Sequence, residues 1–465
     1  MSDLSSRMSV VDSLPAAIPP TTRFNFIKNW WHRSNETSSV AEARIIKRIY
    51  GALPLTTNIP LSAHIGRIPI DKQQKRAVHT AKEVNTLYIS QKQNSSTKFE
   101  FQHDVEGDDL LKVIKEETNG DTKNLVMCHG YGAGLGFFYR NYQALSQISG
   151  YRLFSIDWLG MGRSSRPKWT ITKKSNETWD EIVKEVEDHF VQSLEDWRER
   201  TGLEKMTLLG HSLGGYFATC YALQYPQRVE KLVLVSPAGI AKNPHLNKEN
   251  ENTENLSPQK ELEKEASEIG ATMQANAAAV ENIARQTPLG DADANQQDAN
   301  KEEEVESTKP QAGPRRKIPG WATYLWDRNV TPMTVVRMIG PFGPALVNRY
   351  ASRRFAHLSE GEQHDLYDYL YNITSSTGSG EYALAAILAP GAYARKPLME
   401  RLAKLKMPTV FIYGEQDWMD YKAAEEAKES MEVPVKIFRI PNGGHHMYLE
   451  NPEEFNKVME EELAQ

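Results

Sequence analysis

Ser212 lies in Gly210-His211-Ser212-Leu213-Gly214, behind an apolar run from Met206 to Leu209 and ahead of a helical pattern. A serine on so tight a strand-to-helix turn has the placement of a nucleophile. Gly210, Gly214 and Gly215 remove side chains that would collide there, leaving the serine Oγ at the tip. A hydroxyl attacks an acyl carbonyl at neutral pH only with a base beside it, and the base needs an acid to orient it. The apolar run PTVFIYG ends at Gly414, and Glu415-Gln416-Asp417-Trp418 follows. Asp417 is the expected orienting acid, because by then the loop has turned toward the serine. The run VKIFRI ends at Ile440, and Pro441-Asn442-Gly443-Gly444-His445-His446 follows. The two histidines compete, and the frame of Gly-His with Glu450 and Pro452 downstream selects His445. A metal reading of the pair lacks a second ligand cluster at suitable spacing, so neither metal nor cofactor is expected.

A tetrahedral intermediate needs N–H donors for its oxyanion. His129-Gly130-Tyr131-Gly132-Ala133-Gly134 follows a buried strand, and the N–H groups of Tyr131 and Leu213 are the expected pair. The glycine run lacks the Gly-Lys-Ser/Thr ending of a phosphate loop. A second tight turn, Asp157 to Ser164, reads as a structural floor of the pocket.

Those loops need strands to carry them. Residues 84–91 and 99–104 read as an opening hairpin. Strands are expected at 124–129, 152–157, 206–210, 231–236, 408–414 and 435–440, the first of them buried, with a long amphipathic helix over 177–200. Continuous apolar strands alternating with helices imply an α/β fold with a mostly parallel sheet covered on both faces. Asn451 as cap, Pro452 and early glutamates place the start of the last helix at Asn451.

With 465 residues, one elaborated domain or several are possible. A net charge of −6 gives no basic field, so nucleic acid is not an expected partner. The two cysteines, Cys128 and Cys220, read as small core residues of a reducing compartment. Residues 1–22 are Ser/Pro-rich, expected to be disordered, and show neither a secretory signal nor a convincing transit peptide. Residues 23–80 form a Trp-containing amphipathic segment. Trp30 and Trp31, among phenylalanines and basic residues, suit either a membrane interface or a staple folded back on the core. Residues 39–50 have helical spacing with a basic face. The core is expected over 81–240 and 396–465. A helical cap is expected over 241–395, with an acidic insertion at 245–316 that contains no aromatic residue. The aromatic stretch after the insertion, with Trp321 and Trp326, would line an acyl tunnel, touch a bilayer or simply pack the cap.

The motifs HGYGAG (129–134), DWLGMGRS (157–164), GHSLGGY (210–216), SGEYAL (379–384), YGEQDWMD (413–420) and HHMYLENPEEFN (445–456) together resemble one branch of the α/β-hydrolases. It is the family of lipase co-activators and N-acyl phospholipid lipases, whose fungal members include a mitochondrial cardiolipin-specific deacylase. The likeness spans about Asn29 to Glu461, apart from the insertion. It implies the α/β-hydrolase fold and a serine esterase of phospholipids that works peripherally on a membrane. Cardiolipin is the first implied substrate, and the mitochondrial inner membrane, a lipid droplet or the cytosol the implied locations. The animal co-activator lacks the serine that Ser212 supplies here. The family's His-x4-Asp element, linked to lysophosphatidic acid acyltransfer, reads His445-x4-Glu450. A lysophosphatidic acid acyltransferase and a non-enzymatic regulator of another lipase are therefore the rival functions. Oligomeric state is not encoded.

Overall fold

A computed structural model describes residues 22–49, 59–71, 81–92, 99–117, 122–174, 176–242, 326, 328–389 and 393–464. Its centre is a nine-stranded sheet: β1 (Leu61–Pro69), β2 (Glu83–Gln91), β3 (Phe99–Glu106), β4 (Lys123–Cys128), β5 (Tyr151–Ile156), β6 (Met206–His211), β7 (Val229–Val235), β8 (Thr409–Gly414) and β9 (Val435–Ile440). The strand order is β3-β1-β2-β5-β4-β6-β7-β8-β9. From β5 to β9 every pairing is parallel. Every residue of β5, β6 and β8 is buried, as continuous apolar strands require when both sheet faces are covered. Leu209, in the middle of β6, is fully buried. Leu209→Ala is expected to lower unfolding free energy by about 2–5 kcal/mol, read from urea titration.

The expected opening hairpin does not form. β1 lies between its two strands, antiparallel to β2 and parallel to β3. Two features of LSAHIGRIP hide this strand in the sequence. Ser62 and His64 are buried polar residues that hydrogen-bond to each other at 2.8 Å. The register against β3 also slips between His64 and Gly66, where a Cβ on Gly66 would strike the Val105 carbonyl.

The principal helices are α1 (Arg23–Trp31), α2 (Asn35–Lys47), α3 (Trp179–Thr201), α4 (Leu213–Gln224), α5 (Pro332–Met338), α6 (Gly343–Arg354), α7 (Glu360–Ser375) and α8 (Pro452–Leu463). Helix α3 begins with a reciprocal Thr178–Glu181 capping box and ends at left-handed Gly202. Asn451 caps α8 through the Glu454 N–H, with Pro452 at the first helical position. Pro332 and Pro344 sit in the first turns of α5 and α6. Proline fits there because those N–H groups have no helical acceptor.

The chain divides into two compact units, Met1–Asn243 with Asn329–Gln465, and Pro244–Arg328. Of the second unit, only Trp326 and Arg328 are described. The expected insertion at 245–316 and Trp321 lie outside the described residues, as do residues 1–21. Of the expected cap of 241–395, the described helices α5, α6 and α7 belong to the first unit. They are held there by the N-terminal helices. Arg44 pairs with Asp368 at 2.7 Å and Arg48 with Asp365 at 2.6 Å, while Asn29 donates to the Tyr367 hydroxyl. The basic face of 39–50 thus meets acidic α7. Among the described residues, no helix is long and apolar enough to cross a membrane.

Candidate active site

The parallel strands deliver their C-terminal loops to one edge, and β6 delivers the serine. Ser212 has φ 53° and ψ −119°, in the left-handed half of backbone space that side chains disfavour. Three bonds hold it there. Its N–H donates to the Val235 carbonyl, and its carbonyl accepts from Tyr216 and Ala238. The elbow is close-packed: a Cβ on Gly214 would strike the His129 carbonyl.

His445 comes from the loop after β9 and Asp417 from the loop after β8. His445 Nε2 stands 3.1 Å from Ser212 Oγ. His445 Nδ1 stands 3.1 Å from Asp417 Oδ1. The Asp417 side chain is fully buried and the His445 side chain 13% exposed, so the acid is sealed while the base reaches the pocket. With a carboxylate at Nδ1, the ring carries its proton there and turns the Nε2 lone pair to the serine. His446 points elsewhere. Its Nδ1 accepts from Arg354 at 2.9 Å, and burial, reinforced by nearby cations and histidines, pushes its imidazole well below the usual range.

Three residues that sequence reasoning passed over hold this arrangement. Ser236, beyond the end of β7 and with φ 43°, donates its hydroxyl to Asp417 Oδ2, and the Met419 N–H donates to Oδ1 at 3.1 Å. His211 is fully buried, and burial drives its imidazole well below the ordinary range. As a neutral ring it donates from Nε2 to the His445 carbonyl at 2.8 Å, fixing the histidine loop to the serine strand. His129, also kept neutral by burial, accepts from the Trp158 N–H at Nε2 and donates from Nδ1 to the Gly130 carbonyl at 2.7 Å. A trans peptide points C=O and N–H oppositely. Fixing the Gly130 carbonyl therefore fixes the direction of the Tyr131 N–H. Neither this N–H nor that of Leu213 donates a hydrogen bond among the described residues. Gly130 packs on the nucleophile; a Cβ there would lie 2.9 Å from Ser212 Cβ. His129→Ala is expected to lower kcat of a soluble ester by about 10- to 100-fold with little change in KM, less than loss of an oxyanion donor outright.

The Asp157–Ser164 turn contributes a buried anchor. Asp157 accepts from the N–H groups of Leu135 (2.7 Å) and Arg163 (2.8 Å) and from Asn85 Nδ2 (2.8 Å). Glu42 shares the same Asn85 amide and pairs with Arg163. Burial pushes the Glu42 carboxyl up to about 7; Arg163 opposes this and Asp157 adds to it. A carboxyl raised on folding binds its proton more tightly when folded. Its contribution is full below the ordinary value of 4.5 and is lost as pH rises through about 7. Glu42→Gln is expected to flatten this fall, measured as urea midpoints at about pH 5 and pH 8.

Glu450 does not reach the His445 ring. It accepts from the Gly444 N–H and pairs with Arg354, so it shapes the loop, while Asp417 holds the imidazole. Trp31 and Phe24 on α1 are each 74% exposed, whereas Trp30 is half-buried. The staple reading therefore does not describe Trp31. Trp326, in the second unit, is also half-buried. Cys128 and Cys220 are buried and unpaired. No group of acids, histidines and cysteines suited to a metal occurs among the described residues.

Residues 123–452 match the family model described as alpha/beta hydrolase fold. The chain belongs to the α/β-hydrolase family. Within it, the chain is similar to a 1-acylglycerol-3-phosphate O-acyltransferase of Arabidopsis thaliana, at 38% identity over 75% of this chain and 68% of that one. It is similar to a probable 1-acylglycerol-3-phosphate O-acyltransferase of Oryza sativa subsp. japonica, at 36% identity over 75% and 69%. The (lyso)-N-acylphosphatidylethanolamine lipase of Mus musculus is 31% identical over 73% of this chain and 79% of its own. This α/β-hydrolase therefore sits among the lipid-acting members, in the branch of lipase co-activators and N-acyl phospholipid lipases.

Proposed function

We propose that this α/β-hydrolase removes a fatty acyl chain from a phospholipid at a membrane surface, through an acyl-enzyme on Ser212. The observation that carries the reading is the continuous chain from Ser212 Oγ through His445 to buried Asp417. Ser212 Oγ attacks the ester carbonyl and its proton passes to His445 Nε2. The Tyr131 and Leu213 N–H groups hold the oxyanion. His445 then protonates the departing lyso-lipid oxygen, and Asp417 stabilises the imidazolium. Water, activated by the same histidine, releases the fatty acid. Cardiolipin, giving monolysocardiolipin at the mitochondrial inner membrane, is the first substrate to test, as the motif resemblance implies.

Surface chemistry supports a lipid interface. Helix α1, with exposed Phe24, Ile27 and Trp31, packs against 340–342 and α6, which carry exposed Phe342 and Leu346. An apolar rim of this kind marks an interaction surface. Phe24→Ala with Trp31→Ala is expected to weaken partition to phospholipid vesicles about tenfold or more, read by flotation, because two aromatic side chains leave the interface.

A second reading has the names of the plant relatives behind it: the same acyl-enzyme passes its acyl group to lysophosphatidic acid. Acyl-labelled phospholipid, incubated with the protein with and without lysophosphatidic acid, separates the two. Labelled free fatty acid in both reactions supports hydrolysis. Labelled phosphatidic acid appearing only with the acceptor supports transfer.

A further inference from the structure

A cavity of about 490 Å³ opens among the segment between α1 and α2, strand β1, the loop after β5 and the end of α7. Four arginines line it, Arg33, Arg67, Arg163 and Arg166, together with serine hydroxyls, and among the described residues no carboxylate does. We propose that this cavity is a phosphate-binding pocket, separate from the serine nucleophile, that takes a phosphomonoester or phosphodiester group.

The charge accounting supports an anion. Arg163 pairs with Glu42 and with Asp104. Arg67 stands 3.5 Å from Glu83, with side chains 51% and 32% exposed, so water screens the pair in part. Arg166 spends its donors on the carbonyls of Gly160, Gly162, Ile373 and Thr377, which carry partial charge only. Its nearest carboxylate, Glu381 at 3.7 Å, is shared with Arg337. Arg33 donates from Nη1 to the Ser375 carbonyl, and among the described residues no carboxylate pairs with it. A guanidinium has five N–H donors, so most of the Arg33 fork remains open to a phosphate. Ser34 and Asn35, at the positive end of α2, line the same cavity. Volumes of roughly 300–1,000 Å³ are usual for small-ligand sites, so a headgroup as well as a bare phosphate fits.

The phosphate could belong to a lipid headgroup or be free in solution. Only the headgroup arm rests on the phospholipid reading above; phosphate binding itself does not depend on what Ser212 does. The test is titration calorimetry of the full chain with inorganic phosphate, comparing wild type, Arg67→Gln, Arg33→Gln/Arg67→Gln and Arg33→Lys/Arg67→Lys. Melting temperatures in phosphate-free buffer check folding. Should the double glutamine variant not fold, Arg67→Gln, on a half-exposed strand residue, still decides. The expected result is phosphate binding weakened at least tenfold by the glutamine pair and largely kept by the lysine pair. Phosphate that does not bind wild type, or binds all variants equally, overturns the proposal. Flotation on phosphatidylcholine vesicles with and without phosphatidic acid then names the source. Loss of the phosphatidic acid preference in the glutamine pair assigns a headgroup. An unchanged preference beside weakened phosphate binding assigns free phosphate.

Discussion

Asp417→Asn is expected to lower acyl-ester turnover by roughly 10⁴-fold while the protein stays folded. The carboxylate does two things that an amide cannot. It accepts from His445 Nδ1, so Nε2 stays unprotonated toward Ser212 Oγ, and it stabilises the imidazolium once the serine proton has moved. An amide can present N–H to Nδ1, which favours the opposite tautomer and leaves a proton facing the serine. The Asp417 side chain is fully buried, with Ser236 and the Met419 N–H already committed to it, so water does not substitute for the lost charge. The measurement is kcat with a soluble ester beside a melting curve. An Asn variant that kept a tenth of wild-type turnover would remove Asp417 from its role and reopen Glu415.

Asp157→Ala is expected to cost about 3–5 kcal/mol of stability and to depress turnover in whatever protein still folds. Asp157 is completely buried and accepts from three donors, the N–H groups of Leu135 and Arg163 and the Asn85 amide. Removing the carboxylate takes the acceptor from the Leu135 and Arg163 N–H groups and half the bonding of the Asn85 amide, at about 1–3 kcal/mol for each buried donor left unpaired. The damage reaches chemistry because Leu135 closes the same glycine-rich loop that presents the Tyr131 N–H. Urea titration and kcat, measured together, check both halves. A variant with wild-type stability would show that the anchor is dispensable.

The triad residues were legible in sequence because their signals are local. Ser212, Asp417 and His445 each follow an apolar run by a few residues, and glycines mark the turns. The strands β4 to β8 were legible for the same reason, as largely buried apolar runs, and β9 by its apolar residues, although only Ile440 of them is buried. β1 was not, since a buried Ser62–His64 pair and a slip at Gly66 break its alternation. What holds the triad was not legible either. His211 works through the His445 carbonyl, 234 positions away, and Ser236 through Asp417, 181 away. His129 and Asp157 stood inside recognised motifs, yet their work, fixing a peptide plane and anchoring a loop, depends on partners from other strands. Composition marks where the aromatic stretch begins, whereas the packing of α6 and α7 against α1 and α2 depends on partners far away in the chain.

The central claim is that Ser212 takes the acyl chain from a phospholipid. Brief reaction with a diacyl phospholipid, acid quench and peptide mass spectrometry test it directly. An added fatty acyl mass is expected on the peptide carrying Ser212, absent in Ser212→Ala, together with loss of phospholipid turnover in that variant by roughly 10⁴-fold or more, the scale of nucleophile loss in serine hydrolases. A Ser212→Ala protein that still deacylates phospholipid, or an acyl mass on any other residue, would contradict it.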